Sequence, residues 1–117
     1  MLLQSCIGDM LYTREKIIGN YYLVELEGGG YAIAYKTDDV YIGRSPSNST
    51  VESYAIKDSL LVMRVRSYDG TSTYLSLNMN RDSEIAKEKE IFIDTISVKD
   101  FPDSRLSKID LKFKKVK

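Results

Sequence analysis

From residue 21 onward the chain alternates position by position. Tyr22, Val24 and Leu26 fall on one face of an extended segment, and Tyr21, Leu23, Glu25 and Glu27 fall on the other. That is the period of two that a strand gives its side chains. Gly28-Gly29-Gly30 breaks the pattern with three residues that accept positive φ and so permit a tight reversal. Tyr31-Ala32-Ile33-Ala34-Tyr35 then resumes a strand. The glycines therefore read as a hairpin loop, since a phosphate cradle needs a helix after them. Thr37-Asp38-Asp39 makes the next turn, and Val40-Tyr41-Ile42 is a short strand. Residues 45–50 (Ser-Pro-Ser-Asn-Ser-Thr) are the most loop-like stretch, and residues 51–56 return to strand character. Lys57-Asp58-Ser59 turns the chain into residues 60–65, its most apolar run, which predicts a central strand. Asp69-Gly70 lies between Leu60–Ser67 and residues 71–78 and predicts a hairpin with a type I′ turn.

The pattern changes after residue 80. Residues 81–90 are mostly charged, with Glu84, Lys87 and Glu90 at helical spacing and Asp82 or Ser83 placed to cap a short helix. Residues 91–93 and 96–98 read as a strand broken at Asp94-Thr95. Asp100 is placed to cap a helical turn that carries Pro102 in its first positions. Ile109, Leu111 and Phe113 share one face of a closing strand, and Asp110, Lys112 and Lys114 share the other. Its lysines suit an edge, where charge discourages unwanted pairing. The expected fold is mainly β: an antiparallel sheet folded as a small sandwich or barrel of about seven or eight strands, with one or two short helical turns. Residues 1–19 read as a leader and tether, and residues 20–117 as a single β-rich domain.

Composition narrows the chemistry more than it narrows the fold. The chain has 117 residues, 43% of them hydrophobic and nine of them Tyr, which suits one domain of half-buried strands. Lys and Arg number 17 and so do Asp and Glu, so there is no basic excess for phosphates or for an anionic membrane. Nucleic acid is not an expected partner. Histidine is absent and cysteine occurs once, which excludes a Ser–His–Asp or Cys–His mechanism and a His/Cys metal centre within one chain. No catalytic, cofactor-binding or metal-binding residues are expected, and the protein is read as a non-enzyme. The adjacent carboxylates Asp38 and Asp39 read as turn residues rather than an acid–base pair. Arg64 and Arg66 read as exposed charges beside a cross-strand carboxylate. Asn48-Ser49-Thr50 fits the N-glycosylation pattern, which in a bacterial protein implies only exposure.

The lone cysteine sits in Leu3-Gln4-Ser5-Cys6, which is similar to the end of a bacterial lipobox: Leu three residues before Cys and a small residue directly before it. Only five residues precede Cys6, so this start is read as a truncated lipoprotein signal, and Cys6 as the lipid-attachment residue. Three further stretches carry a resemblance: Gly19-Asn20-Tyr21-Tyr22-Leu23-Val24, the strand–turn–strand of residues 51–65 with its Lys-Asp-Ser turn, and residues 100–111. Together with the position of Cys6 ahead of Asn20, they resemble a family of small uncharacterised bacterial lipoproteins of Bacteroides type. The resemblance implies export and lipid anchoring at the cell envelope and implies no activity. The expectation is therefore a non-enzymatic envelope lipoprotein, periplasmic or at the surface, that binds an unidentified protein or ligand. Its only link to a membrane would be the lipid. The alternative is a cytoplasmic partner-binding protein, such as an immunity protein or a phage accessory protein.

Overall fold

Nine strands, built largely from the alternating segments, form two antiparallel sheets in this computed structural model, which describes residues 14–26, 28–38, 40–83, 86 and 91–116. The first sheet has the order β1-β2-β3-β4, with β1 at Arg14–Ile18, β2 at Tyr21–Glu25, β3 at Tyr31–Thr37 and β4 at Val40–Gly43. The second has the order β8-β7-β6-β5-β9, with β5 at Ser49–Lys57, β6 at Leu60–Ser67, β7 at Ser72–Asn78, β8 at Phe92–Ser97 and β9 at Lys114–Lys115. No ladder joins the sheets among the described residues, so of the two expected forms the sandwich is the one adopted.

Tyr21, Leu23 and Ile33 from the first sheet meet Val51, Tyr54, Leu61, Met63, Val65, Leu75 and Leu77 from the second in one buried core. The outer face of the first sheet is apolar as well: Val24, Ala34 and Tyr41 are buried there, with Tyr22, Leu26 and Ala32 packed against them. The two faces read from the alternation of residues 21–26 are thus both used. The outer face of the second sheet carries Ala55, Val62 and Ser76, all buried, and lies under the segment of residues 101–113. Phe101 stacks on Tyr74 with ring centroids 4.0 Å apart, Phe113 meets the same ring edge-on at 5.7 Å, and Leu106 is fully buried.

Several local expectations are corrected. Strand β1 lies inside the stretch expected to be leader; its charges hide the strand pattern, and pairing with β2 fixes it. The hairpin at Asp69-Gly70 forms, but with the three-residue loop Tyr68-Asp69-Gly70. Ser67 N–H donates to Thr71 O, and only Gly70 in the loop has positive φ, at 96°. A type I′ turn needs positive φ at both central residues; here Thr71 N–H instead donates to the Asp69 carboxylate, and Gly70 supplies the left-handed bulge position. Asp100 precedes the 3₁₀ turn Phe101–Asp103 without a side-chain cap, because its carboxylate accepts from the Ser97 hydroxyl. Residues 109–113 do not form the closing strand; only Lys114–Lys115 pairs with β5, as an edge. Of the helix expected within 81–90, residues 84, 85 and 87–90 lie outside the described residues. Asp82 itself follows the 3₁₀ turn Met79–Arg81, and its side chain is engaged elsewhere.

Candidate functional site

Two reversals and a helical turn converge at one end of the sandwich. Gly19-Asn20 links β1 to β2, Asp58-Ser59 links β5 to β6, and Met79–Arg81 follows β7. Gly19 and Asp58 both take positive φ, at 57° and 55°. Gly does so without penalty and Asp tolerates it, which is why two-residue turns fit there. Between them lies an open cleft of about 500 Å³, whose lining includes Ile18, Asn20, Tyr35, Asp58, Met79 and Asn80.

The floor of the cleft is held by a buried polar cluster. Asp82 receives Arg44 through Nε at 2.9 and 3.1 Å and through Nη2 at 2.8 Å, a two-pronged pairing with both carboxylate oxygens. The Tyr21 hydroxyl donates to the same carboxylate at 2.5 Å. Arg44 also donates to the carbonyls of Ser83 and Gly43. The side chains of Arg44 and Asp82 are 4% and 0% exposed. Such a pair is tolerable in a core only when both charges are matched and the remaining donors satisfied, and among the described residues no buried side-chain polar atom lacks a partner. Burial pushes the Tyr21 phenol up, and its hydrogen bond to Asp82 and that carboxylate's charge push it further. Tyr35 completes the floor: its ring stands edge-on to Tyr21 at 5.5 Å, and the Arg44 guanidinium lies 5.7 Å from its centroid.

The rim contrasts with this floor. Asp58 and Asn80 are exposed, and their side chains have no hydrogen bond or ion pair among the described residues. Asn20 donates to the Tyr35 hydroxyl at 3.2 Å, and its amide oxygen has no donor among the described residues. The arrangement can accept hydrogen bonds and contact an apolar surface. It offers no activated nucleophile, because the one buried carboxylate is matched to Arg44 and Tyr21.

The sequence-derived candidates fall elsewhere. Cys6 and Asp39 lie outside the described residues. Asp38 occupies the β3–β4 turn with φ 48°, as its turn reading requires. Arg64 and Arg66 both reach Glu52, at 3.2 and 3.3 Å, the cross-strand carboxylate that was expected. Asn48 is exposed in the loop before β5. Residues 28–30 form the β2–β3 hairpin loop, all three glycines with positive φ. They line a second concavity of about 650 Å³ at the opposite end, beside Arg66 and Tyr68. Among the described residues no group of three or more metal-ligating side chains comes together, and no helix is long and apolar enough to cross a membrane. Sequence reasoning missed Arg44 and missed the partnership of Asp82 with it. The two are 38 residues apart, and neither carries a local signal, since an Arg after a short strand and an Asp after a turn look like surface residues.

No family model, no curated protein and no solved structure matches this chain.

Proposed function

We propose that this protein is a non-enzymatic binding module of the cell envelope, held to a membrane by a lipid on Cys6, which engages a protein or ligand through the cleft beside Asp58 and Asn80. The cleft carries the reading: an internally satisfied floor under a rim where the Asp58 and Asn80 side chains have no partner among the described residues. Binding sites are commonly concave, apolar in their lining and equipped with a few convergent polar groups.

The direction of β1 agrees with a tether on the far side. Arg14 pairs with Val24 and Ile18 with Tyr21, so β1 begins at the end opposite the cleft. Seven residues separate Cys6 from Arg14, a reach of at most about 25 Å. A lipid on Cys6 would then keep the domain near the bilayer with the cleft directed away from it.

Two measurements test the two halves. For anchoring, the intact mass of the native protein, expressed with its own upstream region, is expected to begin at Cys6 and include acyl chains. An unmodified mass that retains Met1 would overturn anchoring and favour the cytoplasmic partner-binding alternative. For binding, a photo-crosslinking amino acid at Asn80 is expected to give a discrete adduct in the native cell, absent when the same group replaces Lys99. Matching adducts at both positions, or none from Asn80, would overturn the cleft as the binding site.

A further inference from the structure

Building on the cleft as the binding site, we infer that it takes the basic side chain, Lys or Arg, of a partner peptide, with the aliphatic stem against Ile18, Met79 and Tyr35 and the cationic head at Asp58. The charges decide the class. Two carboxylates line the cleft, and Asp82 is already neutralised by Arg44. Among the described residues Asp58 alone keeps an unmatched charge in the cleft, and none of the lining side chains is a Lys or Arg that would offset it. Lys57, which precedes Asp58, and Arg81, which follows Asn80, are both exposed, and neither belongs to the lining.

An anionic head group, phosphate or carboxylate, would therefore meet the Asp58 charge with no free cation among the described lining residues to receive it. Arg44 cannot serve, being 5% exposed and fully engaged below the floor. A cationic head meets the Asp58 carboxylate, the amide oxygens of Asn20 and Asn80, and the half-buried ring of Tyr35, an aromatic surface that attracts positive charge. The fold already uses this ring in that way, since the Arg44 guanidinium lies 5.7 Å from its centroid. The apolar side chains suit the stem. Ile18 is 41% exposed and Met79 half-buried, and the long methylene chains of Lys and Arg cover such surface while their heads stay polar.

The ¹⁵N-labelled protein, residues 1–117, is titrated with three capped tripeptides, Gly-Lys-Gly, Gly-Gln-Gly and Gly-Glu-Gly, while backbone amide shifts are followed. The lysine peptide is expected to give saturable shifts at Asn20, Asp58 and Asn80, and the glutamate peptide none. Asp58→Asn keeps the turn, because Asn accepts left-handed φ as readily as Asp. That variant is expected to weaken the lysine peptide roughly threefold to tenfold, as does raising the salt concentration, in line with an exposed ion pair supported by ring contacts. Equal affinity for the lysine and glutamine peptides, unchanged affinity in Asp58→Asn, or no binding of the lysine peptide would overturn the inference. A discrete adduct from the photo-crosslinker at Asn80, obtained alongside such a failure, would leave the cleft as the binding site and remove only the basic side chain as its occupant.

Discussion

At the scale of single residues, Asp82 fixes one end of the sandwich. Its two oxygens hold Arg44, which follows β4 in the first sheet, and Tyr21 from β2, while Asp82 itself follows the last turn after β7 in the second. One carboxylate thus ties the sheets together under the cleft. Replacing it by Ala would leave the Arg44 guanidinium buried and unmatched, so Asp82→Ala is expected to cost about 3–5 kcal/mol in urea denaturation. Tyr21→Phe removes one hydrogen bond to a charged acceptor and is expected to cost about 1.5–3 kcal/mol. It also carries a pH signature. The folded state holds the Tyr21 proton more tightly than the unfolded chain does, where the phenol titrates near 10.0. Below that value both states keep the proton and the contribution is complete. Above it the unfolded state loses the proton first, so stability falls as pH rises. Denaturation from pH 8 to 11 is expected to show a steeper alkaline loss in the native chain than in Tyr21→Phe, and parallel slopes would contradict the assignment.

At the scale of elements, the reversals were legible and the irregularities were not. Turn residues announce themselves because few side chains accept positive φ, and residues 28–30, Asp38, Asp58 and Gly70 all stand where the sequence placed a turn. Bulges carry no such signal. In the β5–β6 ladder Val51 pairs with Val65 and Ser53 with Arg64, so Glu52 is the extra residue. The bulge moves the inward side chains from Val51 to Tyr54 and Ile56 and sets Glu52 beside both arginines. Similar shifts occur in the β1–β2 and β7–β8 ladders, where a strict period of two fails. Strand β1 was hidden by its charges and by this irregularity together, and the Arg44–Asp82 pair because only tertiary pairing unites it. All four sheet edges are also blunted: β1 and β8 by bulges, β4 by its length of four residues, and β9 by its lysines. The β2–β3 hairpin offers a sharp test. A Cβ on Gly30 would lie 3.1 Å from Thr50 Oγ1, the atom that accepts from Tyr31 N–H, whereas one on Gly29 meets open space. Both residues have positive φ, so each Ala variant carries backbone strain of about 1–2 kcal/mol. Gly30→Ala is expected to be the more destabilised of the two by thermal melting, and equal losses would show that Thr50 simply moves aside.

At the scale of the whole molecule, the question is whether the two sheets and the C-terminal segment unfold together. The core draws on both sheets, so neither can leave without exposing the apolar face of the other. The segment after β8 is attached differently, by contacts with the outer face of the second sheet. Phe101 and Phe113 lie on Tyr74, and Arg105 reaches the Asp94 carboxylate at 2.6 Å, where the Ser76 hydroxyl also donates. Within this frame Leu106 is 0% exposed, and Val62, Ala55 and Ser76 beneath the segment are 0%, 2% and 0% exposed. Val62 and Ala55 sit directly opposite one another in the β5–β6 ladder, so the covered surface belongs to the central strands, whose own inward faces build the main core. Peeling the segment away would wet the middle of the second sheet, which makes a stable core with a loose tail unfavourable. Truncating a buried leucine of this kind to Ala costs about 2–5 kcal/mol. Leu106→Ala is therefore expected to shift the whole urea transition by that amount, with far-ultraviolet circular dichroism and tyrosine fluorescence still coincident and the slope unchanged. A separate early transition, seen by fluorescence while strand content persists, would mean that the segment is an independent cover and that the two sheets stand without it.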